Sequence, residues 1–311
     1  MNNAELKKIL IQIENELTGD PEHDAGILDS WAERYRGDPN AEPLLNEISR
    51  HLVSLFMDEE GIMPDLVFED MVATADDDYR EACELINKGD YEEALQKLLV
   101  LTAVIRAYPC EENKVWTDLT SYRDYLLFRE YFREEIKDFE IALHPMHPAE
   151  ILFTCGRLLI EMNRSGEALD PLLMLNDLDP VCPRYLFELG EAYKRTGMTD
   201  EAWDTAQWAL CCASDPKDLA RAYRDLGYCL IESGSYRDAE IMYLLSLRFH
   251  STRQAETEIF WIRKNAGISP ETISDEMITA RCAELDVPIG ISDTVREIMA
   301  YIKSQKDDEE A

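Results

Sequence analysis

The sequence predicts an all-α protein, an α-solenoid of stacked helical hairpins with capping helices at both ends, and three observations carry that expectation. Gly156, Gly190 and Gly227 recur 34 and 37 residues apart, each followed twelve residues later by an alanine (Ala168, Ala202, Ala239). That period belongs to a two-helix repeat. Around each glycine, apolar residues fall on one helical face and a turn former closes the run. Leu, Ala, Glu and Tyr are plentiful and β-branched alternation is scarce, which argues against strands.

In each copy the first helix carries a large apolar residue four before the glycine (Leu152, Leu186, Tyr223) and another three after it (Leu159, Tyr193, Leu230). Seven after it comes Asn163, Gly197 or Gly234, residues that adopt the left-handed conformation ending a helix. A second helix then opens through Ser165-Gly-Glu-Ala, Met198-Thr-Asp-Glu-Ala or Ser235-Tyr-Arg-Asp-Ala. The Ser, Thr or Asp there is expected to cap free N–H groups, and the acid to favour the positive end of the helix dipole. The small residues imply a close crossing of the two helices. Pro180 and Pro216 are expected to end the second helices, because proline has no N–H to continue the ladder.

These residues resemble the tetratricopeptide repeat family. Leu186-x-x-Leu189-Gly190-x-x-Tyr193, with Gly197, Ala202, Ala206 and Ala209, is the fullest match. The copy over 149–182 matches through Leu152, Gly156, Leu159, Ala168, Leu172, Leu175 and Pro180. The copy over 220–253 matches through Tyr223, Leu226, Gly227, Leu230, Gly234, Ala239 and Tyr243. An earlier copy over 75–108 rests on Ala82, Leu85, Gly89, Ala94, Leu98 and Leu101, and 183–216 holds the fullest one. Residues 113–146 (Trp116, Leu119, Phe132, Ile136, Phe139, Pro145) read as a worn copy lacking both small residues, with a plain helical insertion over 109–148 as the alternative. The resemblance implies a right-handed solenoid spanning 75–253, whose first helices line a concave face that holds a peptide.

The flanks differ. Residues 1–74 read as about three helices (4–17, 24–36 and 41–57) followed by an acidic hinge over 58–75 containing Gly61 and Pro64. Residues 254–306 read as C-terminal helices, with Ser269-Pro-Glu-Thr and Ser292-Asp-Thr-Val starting helices over 270–285 and 292–304 that cover the last repeat. Residues 307–311 read as a disordered acidic tail.

Composition narrows the function classes. The formal net charge is −33, with 31 Lys and Arg against 64 Asp and Glu. Residues 1–74 are the most acidic block, with 5 basic and 17 acidic side chains. Phosphate binding needs clustered cations, so nucleic acid and anionic membrane are not expected partners. Apolar runs fall far short of the roughly 20 residues that span a bilayer. The start, Met1-Asn-Asn-Ala-Glu-Leu, lacks the apolar core of a signal peptide, so the expected location is cytoplasmic. Eight cysteines without a CxxC pair read as free structural thiols. No phosphate loop, nucleophile elbow or HExxH is present, and His144-Pro-Met-His147 lacks a completing ligand. No catalysis, cofactor or metal is expected.

The candidate site is therefore the groove. Mapping helical phase onto the first helices places Phe153 and Arg157, then Arg184, Phe187, Glu191 and Lys194, then Arg221, Arg224 and Tyr228 opposite the core. Arginine with aromatics suits a peptide carboxylate or acidic side chain. The same arginines also have Glu188, Glu191 and Asp225 beside them as local partners. The position one past the glycine is Arg157, Glu191 or Tyr228, where the family's carboxylate-clamp co-chaperones carry asparagine, so a clamp of that kind is not expected. The expected function is a non-catalytic scaffold binding a protein or peptide partner. The alternatives are an acidic chaperone for a basic client, or a signalling regulator with residues 1–74 as effector module.

Overall fold

The chain divides into two compact units, residues 1–110 and 111–311. The computed structural model describes residues 3–18, 21–35, 41, 44, 48, 65–108, 113–267 and 273–309. Among these residues there are fifteen helices and two four-residue strands.

In the first unit, α1 (Asn3–Glu16) and α2 (Pro21–Tyr35) pack together. Trp31 Nε1 donates to Glu16 at 2.8 Å, and Thr18 donates through N–H and hydroxyl to the buried Asp24 carboxylate. Of the expected helix over 41–57 only residues 41, 44 and 48 are described, all three buried, and residues 58–64 of the hinge lie outside the described residues. From Asp65 onward the hinge reading gives way to helix. α3 runs from Asp65 to Lys88 because no glycine or proline interrupts that stretch. It turns at Gly89 into α4 (Tyr91–Arg106), burying Ala82, Leu85, Ala94, Leu95, Leu98 and Leu101.

The second unit opens with a departure from the repeat. β1 (Lys114–Thr117), α5 (Tyr122–Tyr131), α6 (Arg133–Ile136) and β2 (Glu140–Leu143) occupy the candidate worn copy. The strands pair in parallel from Lys114↔Glu140 to Thr117↔Leu143. The segment lacks the glycine and alanine at the two repeat positions where helices cross closely, and Lys-Val-Trp-Thr favours a strand. Ser121, whose hydroxyl accepts from the Asp124 N–H, then starts α5.

Three hairpins follow: α7 (Ala149–Glu161) with α8 (Ser165–Leu178), α9 (Pro183–Thr196) with α10 (Thr199–Cys212), and α11 (Pro216–Glu232) with α12 (Tyr236–Phe249). Each helix packs on the next, and the first helices α7, α9 and α11 also pack on one another in order, which is a solenoid. The turns are copies of one device. Asn163, Gly197 and Gly234 sit at φ of 60°, 77° and 78°, as Gly89 does at 86°. In all four the next N–H reaches back five residues, Arg164 to Leu159, Met198 to Tyr193, Ser235 to Leu230 and Asp90 to Leu85, closing a Schellman motif.

Two expectations are corrected here. The second helices have no side-chain cap: their N-caps are Arg164, Met198 and Ser235, none of which makes a capping bond. The Schellman turn feeds directly into the next helix and leaves the Ser or Thr no room to cap; the acid of the first turn does remain. Pro216 does not end α10, which stops at Cys212; it is the first residue of α11, as Pro183 is of α9.

The glycines are not equivalent. A Cβ on Gly156 would lie 2.5 Å from Leu172 Cγ, and one on Gly227 would lie 2.8 Å from the Tyr243 ring. At Gly190 the nearest atom is Thr205 Cγ2 at 3.7 Å, an ordinary contact. The residue pressing on the glycine lies sixteen positions on, and in the middle repeat it is Ala206.

α13 (Arg253–Asn265) and α14 (Asp275–Glu284) close the last hairpin, adding Ala255, Ile259, Ile262, Ile278 and Cys282 to its core. α15 (Asp293–Glu309) does something else: it turns back against α5, where Val295 joins Leu127, Phe128, Val181 and Cys212. The buried Tyr223 hydroxyl directs this, donating to the Pro288 carbonyl and accepting from the Gly290 N–H, both at 2.8 Å. α15 also runs through Glu309 where a disordered tail was expected, since Ser304-Gln-Lys-Asp-Asp-Glu contains no breaker.

Candidate functional site

The face made by α7, α9 and α11 is built from three repeating positions. Six residues before the glycine stand Glu150, Arg184 and Arg221; three before it, Phe153, Phe187 and Arg224; one after it, Arg157, Glu191 and Tyr228. Because successive first helices pack on one another, side chains at these positions reach the preceding repeat.

The first step of the ladder is Arg184 of α9, whose guanidinium lies 3.9 Å from the centroid of the Phe153 ring on α7. Its two Nη atoms donate to the Glu150 carboxylate at 2.6 and 3.2 Å, and the Tyr185 hydroxyl adds a third donor at 3.3 Å. Burial acts to lower the Arg184 guanidinium, and Glu150 outweighs it and holds it above its ordinary value. The second step repeats the first. Arg221 of α11 lies 4.6 Å from the Phe187 ring and donates to Glu188 at 3.1 Å and to the Phe187 carbonyl at 3.4 Å.

Phe153 and Phe187 were expected to face a ligand. They are instead 4 % and 2 % exposed, roofed by the arginines of the next repeat. The cations are largely engaged. Lys194 is held by Glu191 and Asp225, each at 2.8 Å, and lies 5.5 Å from the Tyr228 ring. Burial acts to lower its amine, but the two carboxylates hold it above the ordinary lysine value. Arg157 pairs with Glu161 one turn on, at 3.2 Å, beside Phe153. Local pairing therefore accounts for Arg157, Arg184, Arg221 and Lys194.

Helical phase missed two participants. Arg195 donates to Glu191 at 2.7 Å and to the Ile160 carbonyl at 3.2 Å, satisfying the open end of α7. Glu150 was legible in principle, since it stands at the same offset as Arg184 and Arg221.

Arg224 breaks the pattern. It occupies the position of the two phenylalanines, half-buried, and Nη1 is shut off from solvent with no hydrogen-bond partner among the described residues. Burial lowers its guanidinium, Asp225 opposes that, and Arg221 adds to it.

The His144–His147 turn serves the fold. His144 is buried, its Nδ1 accepting from the Met146 N–H at 3.2 Å, and burial lowers its imidazole. Asp118 accepts from the Ala149 N–H at 2.8 Å and so starts α7. No group of three potential metal ligands occurs among the described residues, and none of their helices is long and apolar enough to cross a membrane.

Hairpins with this turn and this stacking of successive first helices make residues 149–249 a tetratricopeptide-like repeat array. No family model and no curated protein matches the sequence. Among solved structures the chain is similar to the Sgt2 TPR domain from Aspergillus fumigatus, at 18% identity and a TM-score of 0.35, covering 41% of this chain and 89% of that one. It is also similar to the MamA RS-1 ArsTM double mutant, at 13% identity and a TM-score of 0.34, covering 86% of this chain and 98% of that one.

Proposed function

We propose that this protein is a non-catalytic scaffold whose first-helix face binds a peptide segment through a carboxylate, with Arg224 as the receiving group. One observation carries the reading: Arg224 Nη1 is buried without a partner where every other groove cation has one. A buried, unmet N–H costs about 1–3 kcal/mol. Nη1 itself faces inward, but the side chain is half-buried, and a carboxylate docking on the open part of the guanidinium fork would add charge-assisted bonds to it. The remaining arginines hold successive first helices together and set the frame around it.

The test is affinity capture followed by mass spectrometry with wild-type, Arg224→Met and Arg157→Ala baits. Arg224→Met keeps the stem and removes the charge, so the expected result is a partner retained by wild type and Arg157→Ala and lost by Arg224→Met. Equal retention by all three baits rejects the reading. The same substitution removes the unmet Nη1 N–H group, so Arg224→Met is expected to melt at the wild-type temperature or above it.

The net charge of −33 favours a second reading, an acidic chaperone for a basic client. Ionic strength separates the two: a client held by the acidic surface is released as salt rises, whereas a contact in a partly buried groove persists.

A further inference from the structure

The segment that interrupts the repeats leaves a cleft which the first-helix face does not involve. It is open to solvent and spans about 950 Å³ among α5, α6, β2 and α15. Its walls include Tyr125, Arg129, Arg133, Lys137, Phe139 and Tyr301. We propose that this cleft is a second docking site, for a linear peptide segment in which an acidic side chain neighbours an aromatic one.

Charge is the first argument. Acids outnumber bases 64 to 31 along the chain, yet the lining has three cations against the two acids Glu130 and Glu297. Arg133 and Lys137 pair with Glu130 and Glu134 three residues away on exposed surface, and such contacts exchange readily. Arg129 differs: its guanidinium lies 5.7 Å from the Tyr125 ring and makes no ion pair among the described residues. A guanidinium resting on a ring is poised to take a carboxylate bidentately while the ring backs it.

Apolar surface is the second argument. Phe139 and Tyr301 line the same cleft and are 45% and 48% exposed, so both rings are open to a ligand. An aromatic side chain between them would bury three rings at once, which is how interface anchors work. A nucleic acid fits poorly, because one surplus positive charge in the lining does not offset a chain of −33.

The probe is a fluorescein-labelled octapeptide with a central phenylalanine flanked by two aspartates, read by fluorescence anisotropy. Its counterpart carries asparagines at the flanking positions. Arg129 is exposed, so Arg129→Ala leaves the fold intact, and Tyr301→Ser tests the aromatic wall separately. The expected result is saturable binding of the aspartate peptide, weakened about tenfold or more by Arg129→Ala and by the asparagine exchange. Binding weakened by Tyr301→Ser and unchanged by Arg224→Met places the peptide in this cleft rather than on the first-helix face. Three results overturn the proposal: no binding up to about 1 mM peptide, equal affinity for both peptides, or binding lost with Arg224→Met and kept with Arg129→Ala.

Discussion

The hairpins α7–α12 and the segment from β1 to β2 are neighbours in one unit and are built on opposite principles. In the hairpins the main contacts recur from repeat to repeat: the Schellman turn in all three, the glycine against the residue sixteen on in the first and last, and the arginine over the preceding repeat's phenylalanine at both steps. In the β1–β2 segment nothing recurs. Its strands pair across 26 residues, and its helix α5 is buried by α15, from the other end of the chain. The array is thus a local code and the segment a tertiary one. Substitutions should expose that difference.

The largest effect is expected where the two constructions meet. Leu127 of α5 is fully buried against Val181, Cys212 and Val295, so Leu127→Ala should cost about 2–5 kcal/mol in denaturant unfolding. If that substitution costs no more than an exposed-site control, α15 does not hold the segment.

The glycines come next and sharpen the code. Gly156→Ala and Gly227→Ala force a methyl into the Leu172 branch point and the Tyr243 ring, which should destabilise by about 1–3 kcal/mol. Gly190→Ala meets only Thr205 at 3.7 Å and gains helix propensity, so it should be neutral or stabilise by up to about 1 kcal/mol. Equal melting shifts for the three would mean that the crossings are alike after all.

The smallest effect is a pH slope at the seam. Asp179 ends α8, wholly buried, and accepts the Thr120 and Val181 N–H groups at 3.3 Å each. Burial, then the nearby Asp124 charge, pushes its carboxyl up from 3.8 to about 7. The folded state therefore binds a proton that the unfolded state releases between those values. The stability this adds is present in full below about pH 4 and is lost as pH rises through about 7. Asp179→Asn should flatten the dependence of melting temperature on pH between about 5 and 7. An unchanged slope would show that Asp179 is ionised throughout that range.

Legibility followed the same division. The turn residues Asn163, Gly197 and Gly234 were readable because a left-handed residue after an apolar helical run has one use. Helical phase puts the expected groove residues on one face, since a helix places every third or fourth side chain there, yet Phe153 and Phe187 of that set are buried. Their partners were less readable: that Phe153 is covered by Arg184, and that Arg224 is left without a mate, depends on the distance between α7, α9 and α11. The worn-copy reading of residues 113–146 failed because Phe132 and Ile136 satisfy a helical period while packing into a core completed by Val295 and Cys212. Apolar spacing states which residues seek burial and is silent on who buries them.

The sequence by itself determined the repeated hairpin and its turns, because each depends on neighbours within one repeat, and the acidic balance, which is composition alone. Only the tertiary structure decided the parallel strands, the return of α15 to α5, the unmet Arg224 and the cleft beside Arg129. Those depend on groups distant in the chain, and whether a distant pair meets is settled by the summed packing of everything between them.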